Sequence, residues 1–421
     1  MQKKLNWFKK EFIFACKILF LLIVLTSCHH LEDNSLVEPV IGSRGQLESA
    51  TWLGKFNQSY IQSLLSEQQV DLTLQYDINV YKIVYKTSDP KGNIVTASGV
   101  MFAPEGKDNL SLMSIQHGTQ TKKSKVGSVN VQESFEGFIG GGLGYFTIEP
   151  DYLGLGESNI MHPYHYAKSS AETVIDFIRA CRSEAEKLNI KLNGQVFLAG
   201  YSEGGYVTMA AHREIQKNYS GEIDVTASAP MAGAYDLYLT AQTILKNKTY
   251  DQPSFLAFLM VAYNNIYGWN NLGTVFSSSY AGIIPSLFDG TKTTNEIDVS
   301  LTTDMTKLFN QDFVNSFEEG TEKTLTPAFK ENSLLDWTPT VPMRLYHGDA
   351  DQFVPYQNSV EAKDYFISHG AQDVQLITIA GGNHYTAAVP SILAAVQWFD
   401  SIRLKKYNEE KRMLALMKVH K

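Results

Sequence analysis

The residues best suited to chemistry are Gly200-Tyr201-Ser202-Glu203-Gly204, placed where an apolar strand-like run gives way to a helical pattern. Val196-Phe197-Leu198-Ala199 reads as a short β-strand. After Gly205 the apolar residues Val207, Ala210, Ala211 and Ile215 recur at helical spacing. A serine between glycines at such a junction is held exposed at a helix N-terminus, because the small residues permit a tight turn. A serine hydroxyl is a weak nucleophile near neutral pH. It needs a base, and the base needs an orienting acid. Two later segments offer them. Residues 341–346 read as a strand running into the turn His347-Gly348-Asp349-Ala350-Asp351-Gln352-Phe353-Val354-Pro355. Residues 374–379 read as another strand, followed by Gly381-Gly382-Asn383-His384. Each group sits just past the carboxyl end of a predicted strand, where open parallel sheets place their chemistry.

With these motifs in order, the chain resembles the α/β-hydrolase superfamily from about Tyr76 to about Arg403. Pro150-Asp151-Tyr152-Leu153-Gly154-Leu155-Gly156-Glu157-Ser158, followed by His162-Pro163-Tyr164, is similar to the secretory lipase branch and related bacterial esterases. The resemblance implies Ser202 as nucleophile, Asp351 as acid and His384 as base. It also implies an oxyanion hole made by the amide of Glu203 and one from the turn His117-Gly118-Thr119-Gln120, either Thr119 or Gln120. The side chain of Glu203 is expected to do no chemistry and to suit the positive end of the helix. Asp349 and Asp236 are rival carboxylates, better read as turn or cap residues. His117 and His347 read as turn-shaping or supporting groups. No metal or organic cofactor is implied.

The implied fold is α/β, a mostly parallel central sheet with helices on both faces and a largely helical cap inserted after the sixth strand. Residues 78–87 and 94–104 read as a hairpin around Asp89-Pro90-Lys91-Gly92-Asn93. Strand and helix patterns then alternate, with residues 166–188 showing the clearest helical stripe. The alternation stops after 225–231. Residues 237–335, rich in aromatics and Asn, Ser and Thr, are the expected cap between core segments 51–236 and 336–404. Tyr263, Tyr267, Trp269, Phe276 and Tyr280 are candidates for a cavity wall or, more simply, for the cap's own core. Gly140-Gly141-Gly142-Leu143-Gly144 lacks dinucleotide and phosphate-loop spacing and reads as a turn into a strand. His162 and His165 lack further ligands at metal-site spacing.

The ends of the chain carry a different message. Lysines surround a short aliphatic run at 18–25 that closes on Leu25-Thr26-Ser27-Cys28. This resembles a bacterial lipoprotein signal, implying removal of 1–27 and acylation of Cys28, with 28–50 as a polar tether. The run is short of the roughly 20 residues a span needs. The expected location is the cell envelope, lipid-anchored and facing the periplasm or the cell surface. Cys16 leaves with the signal and Cys28 is taken by lipid, so Cys181 has no partner for an intramolecular disulfide. The formal charge is −8. The first 27 residues hold five lysines and one glutamate, so the remainder carries −12, which argues against nucleic acid as a partner. The tail 405–421 is locally basic and reads as a solvated helix end.

These features point to a serine esterase or lipase acting on small-molecule or lipid esters. One rival is an exopeptidase of the prolyl oligopeptidase type, although too few residues precede the first core strand for a β-propeller. The other is a catalytically silent surface binding protein.

Overall fold

The computed structural model describes residues 43–67, 70 and 72–419. The expected signal, Cys28 and most of the tether lie outside the described residues. Nine strands form one sheet in the order β1-β2-β3-β5-β4-β6-β7-β8-β9. They are β1 (Leu47–Phe56), β2 (Ile78–Ser88), β3 (Ile94–Pro104), β4 (Leu110–Gln116), β5 (Phe146–Pro150), β6 (Leu192–Tyr201), β7 (Val225–Met231), β8 (Met343–Gly348) and β9 (Val374–Ile379). β1, β2 and β3 pair antiparallel, and β3 joins β5 antiparallel. From β5 through β4 to β9 every pairing is parallel.

Alternation along the strands divides the core. Met101, Leu112, Val196 and Leu198 bury with the helices Ala167–Lys187 and Glu203–Glu214 on one face. Their neighbours Phe102, Met113, Phe197 and Ala199 bury with Phe138, Ile139 and Phe399 on the other. A period of two turns successive side chains to opposite faces, so both faces must be covered by helices. Cys181 lies in the first of these clusters, and burial pushes its thiol pKa up.

Two expectations change, the extent of the tether and the place of the glycine run. β1 begins at Leu47, so the sheet starts inside the segment expected to be a tether. Arg44, just before it, is bonded to Asp176 at 2.9 Å and Glu172 at 2.7 Å on the helix Ala167–Lys187. With β1 counted as an extra edge strand, the inserted segment follows the seventh strand of this chain, which is the sixth when counting begins at β2. The glycine run belongs to the helix Phe135–Gly142, with only Gly144 turning (φ 85°) towards β5. A Cβ on Gly140 would lie 2.4 Å from Thr147 Oγ1, and one on Gly141 2.8 Å from Ile78 Cδ1. The glycines let that helix lie close on the sheet.

Between β7 and β8 the chain is helical, from Leu237–Lys246 and Pro253–Tyr267 through shorter pieces to Leu325–Glu331. Its buried side chains join those of one sheet face in a single cluster. Tyr263 and Phe276 are wholly buried there. Tyr267 stacks on Trp269 at 4.6 Å, so these aromatics bind the insertion together.

Candidate active site

Ser202 ends the turn between β6 and the helix Glu203–Glu214 at φ 61°, ψ −120°. A non-glycine residue held there costs of order 1–3 kcal/mol, sustained only where the surroundings over-determine it. The surroundings are backbone. A Cβ on Gly204 would lie 1.9 Å from Gln116 O, and one on Gly205 2.2 Å from Met231 O. Gly200 is equally confined, its Cβ position 2.4 Å from Gly204 O. The amide of Ser202 donates to Met231 O at 2.9 Å, which pins the turn to β7. Ser202 does not cap its helix with its side chain, so Oγ is free for other partners.

The hydroxyl meets His384. Ser202 Oγ donates to His384 Nε2 at 2.9 Å, and His384 Nδ1 donates to Asp351 Oδ2 at 2.6 Å. Three residues remote along the chain, past the ends of β6, β8 and β9, therefore form one hydrogen-bonded line. Tyr201 donates from its hydroxyl to His384 O at 2.7 Å and holds the histidine loop. Asp351 Oδ1 accepts from the amides of Phe353 and Val354 at 2.8 and 3.0 Å. His347, wholly buried, donates from Nε2 to Asp351 Oδ2 at 3.2 Å while Ser359 donates to its Nδ1 at 2.8 Å. Burial pushes the Asp351 carboxyl up, but the bonds from His347 and His384 outweigh it and hold the group well below the usual carboxylate range. The rivals sit elsewhere. Asp349 accepts from Gly381 N, and Asp236 caps its helix by accepting from Leu239 N.

Thr119 and Glu203 flank the serine differently. The turn after β4 approaches closely, a Cβ on Gly118 lying 3.9 Å from Ser202 Cβ. Thr119 Oγ1 shares a hydrogen bond of 2.8 Å with Tyr164 OH. Glu203, in the first helical turn as expected, has a wholly buried side chain hydrogen-bonded to His162 Nε2 at 2.7 Å. His165 is also buried, and burial pushes its imidazole down to about 4. Among the described residues no three His, Cys, Asp or Glu side chains gather as metal ligands.

A cavity of about 40 Å³ adjoins Ser202. Sequence reasoning did not find its walls, which include Leu237, Ile244, Tyr250, Phe255, Leu256 and Leu259 of the insertion. Their run at Phe255, Leu256 and Leu259 follows helical spacing, but that pattern alone does not distinguish a pocket wall from a core stripe.

Residues 139–410 match the secretory lipase family. The chain belongs to that family. It is 24% identical over 267 residues to Lipase 5 of Candida albicans, covering 61% of this chain and 54% of that protein. The chain thus spans about half the length of several of the curated relatives it matches. Among solved structures, a Legionella pneumophila protein superposes with a TM-score of 0.80 at 28% identity, over 85% of this chain and 98% of its own. The rice cell wall degrading esterase LipA of Xanthomonas oryzae gives 0.76 at 27%, over 83% and 95%. This secretory lipase chain thus shares the α/β-hydrolase architecture, and among its described residues no helix is long and apolar enough to cross a membrane.

Proposed function

We propose that this secretory lipase family member hydrolyses carboxylic esters through a serine acyl-enzyme. The observation that carries the reading is the line Ser202 Oγ, His384, Asp351, built on a serine held at positive φ. In the reaction His384 takes the Ser202 proton as Oγ attacks the ester carbonyl, and Asp351 keeps Nδ1 protonated and balances the imidazolium. The amides of Glu203 and Thr119 meet the oxyanion, with Gln120 the alternative to Thr119. His384 then gives its proton to the leaving alcohol and activates water to release the acyl group. Residues 237–335 act as the cap over this site.

The substrate is a small-molecule or lipid ester. Acylation of Cys28 after removal of 1–27 would hold the enzyme at a bacterial membrane surface, since each buried CH₂ contributes about 0.8 kcal/mol. A fluorophosphonate probe tests the chemistry: it should label the wild type and not Ser202→Ala, with ester turnover lost in parallel. Labelling that persists in Ser202→Ala, or turnover of dipeptide amides but not of nitrophenyl esters, overturns the reading.

A further inference from the structure

The segment His162-Pro163-Tyr164 has no role in the proton transfers, yet its two rings reach both sides of the nucleophile. His162 Nδ1 donates to Leu153 O at 2.6 Å, and Nε2 shares a hydrogen bond of 2.7 Å with Glu203 Oε1. Both ring nitrogens are therefore engaged, one by a backbone carbonyl and the other by the Glu203 carboxyl. Glu203 is the residue whose amide follows the serine. Two residues on, Tyr164 OH bonds Thr119 Oγ1 at 2.8 Å, in the turn read as the second oxyanion donor.

The turn between the two rings is closed by the bond of Tyr164 N to His162 O at 2.9 Å. Gly154 presses on it from behind, at φ 86° with its Cβ position 2.2 Å from His162 N. The same loop embraces the oxyanion turn once more. Tyr152 donates from its hydroxyl to His117 O at 2.9 Å and stacks on the His117 ring at 4.1 Å. From the insertion, Phe258 stacks on Tyr164 at 4.7 Å and lies 5.6 Å from His162, itself backed by Phe288 at 5.0 Å. His162, Tyr164 and Glu203 are all buried, so the bonds compete little with water.

We propose that His162 and Tyr164 are positioning residues that, from one turn, hold the amides of Glu203 and Thr119 at the spacing the oxyanion requires. An oxyanion hole works by preorganisation, so its donors must be placed before charge develops. Two donors on different loops drift independently unless something spans them. This inference rests on the ester-hydrolase reading. It adds that the insertion, through Phe258, buttresses the spanning turn.

The test compares Tyr164→Phe, which keeps the ring against Phe258 and removes one hydroxyl, with His162→Gln and Thr119→Val, using nitrophenyl butyrate. Tyr164→Phe should lower kcat about tenfold, less than the roughly hundred- to thousandfold loss on deleting a donor, with KM changed less than about twofold. The melting temperature should stay within a few degrees. Thr119→Val should fall equally, and Tyr164→Phe/Thr119→Val no further, since both break one contact. His162→Gln should lower kcat by at least as much. If it does not fold, the Tyr164 and Thr119 series decides alone. Wild-type kcat in Tyr164→Phe, a change confined to KM, or losses that multiply in the double variant overturns the proposal while the ester-hydrolase reading stands. A wild type that turns over no ester overturns both.

Discussion

At the residue scale, Asp351 does two jobs with two oxygens. Oδ1 is held by the amides of Phe353 and Val354, which orient the carboxylate, and Oδ2 accepts from His384 and His347. Asp351→Asn should lower kcat by about 10³–10⁴, because an amide no longer enforces the His384 tautomer. Its folded-state pKa lies below the unfolded value of about 3.9, so the stabilisation is present at neutral pH and is lost as pH falls. The stability gap between wild type and Asp351→Asn, read from urea unfolding, should therefore shrink steadily below about pH 4. A gap that widens on acidification contradicts the assignment. His347→Ala, which removes the donation to Asp351 but leaves His384 in place, should cost about tenfold in kcat, measured with nitrophenyl butyrate. The likeness of the turn His347–Pro355 to the one around the family's acid made Asp351 legible in the sequence. The burial of Glu203 against His162 was not, because 41 residues separate them and no local pattern encodes the contact.

At the element scale, the elbow depends on three bare glycines, Gly200 at the end of β6 and Gly204 and Gly205 in the first turn of the next helix. Gly204→Ala would place a methyl 1.9 Å from Gln116 O, a backbone atom that cannot swing aside. Overpacking of this kind costs about 1–3 kcal/mol, and the variant should lose activity along with melting temperature. The N-terminal edge depends on charge instead. Arg44 faces Asp176, whose side chain is wholly buried, and Glu172, nearly so. Arg44→Ala leaves buried Glu172 without a cation and Asp176 with Arg179 alone, and should destabilise by up to about 3 kcal/mol in chemical unfolding. A loss under about 0.5 kcal/mol would mean the pair relaxes into water. The hairpin β2–β3 was readable from its turn residues. β1 was not, since an edge strand with one exposed face carries a weak alternating pattern in a polar sequence.

At the scale of the whole molecule, the insertion supplies much of the wall beside Ser202. The cavity beside the serine is about 40 Å³ and is walled largely by Leu237, Ile244, Tyr250, Leu256 and Leu259. Room for only a few water-sized groups favours short acyl chains. In a nitrophenyl ester series kcat/KM should peak at two to about four carbons, and Leu256→Ala should move the peak to longer chains. A wild-type optimum at long acyl chains would instead require the insertion to move during binding. The sequence by itself determined the α/β architecture, and it placed a serine, a carboxylate and a histidine in order past the ends of three predicted strands. Each is written in local periodicity, glycine placement and turn chemistry, which act over a few neighbouring residues. Only the tertiary structure decided which aromatic rings build the insertion's core, which apolar residues line the cavity, and that one turn bonds the side chains of both Glu203 and Thr119. Those outcomes depend on packing between segments about forty to more than one hundred residues apart, where many pairings satisfy the same hydrophobic pattern and close packing selects one.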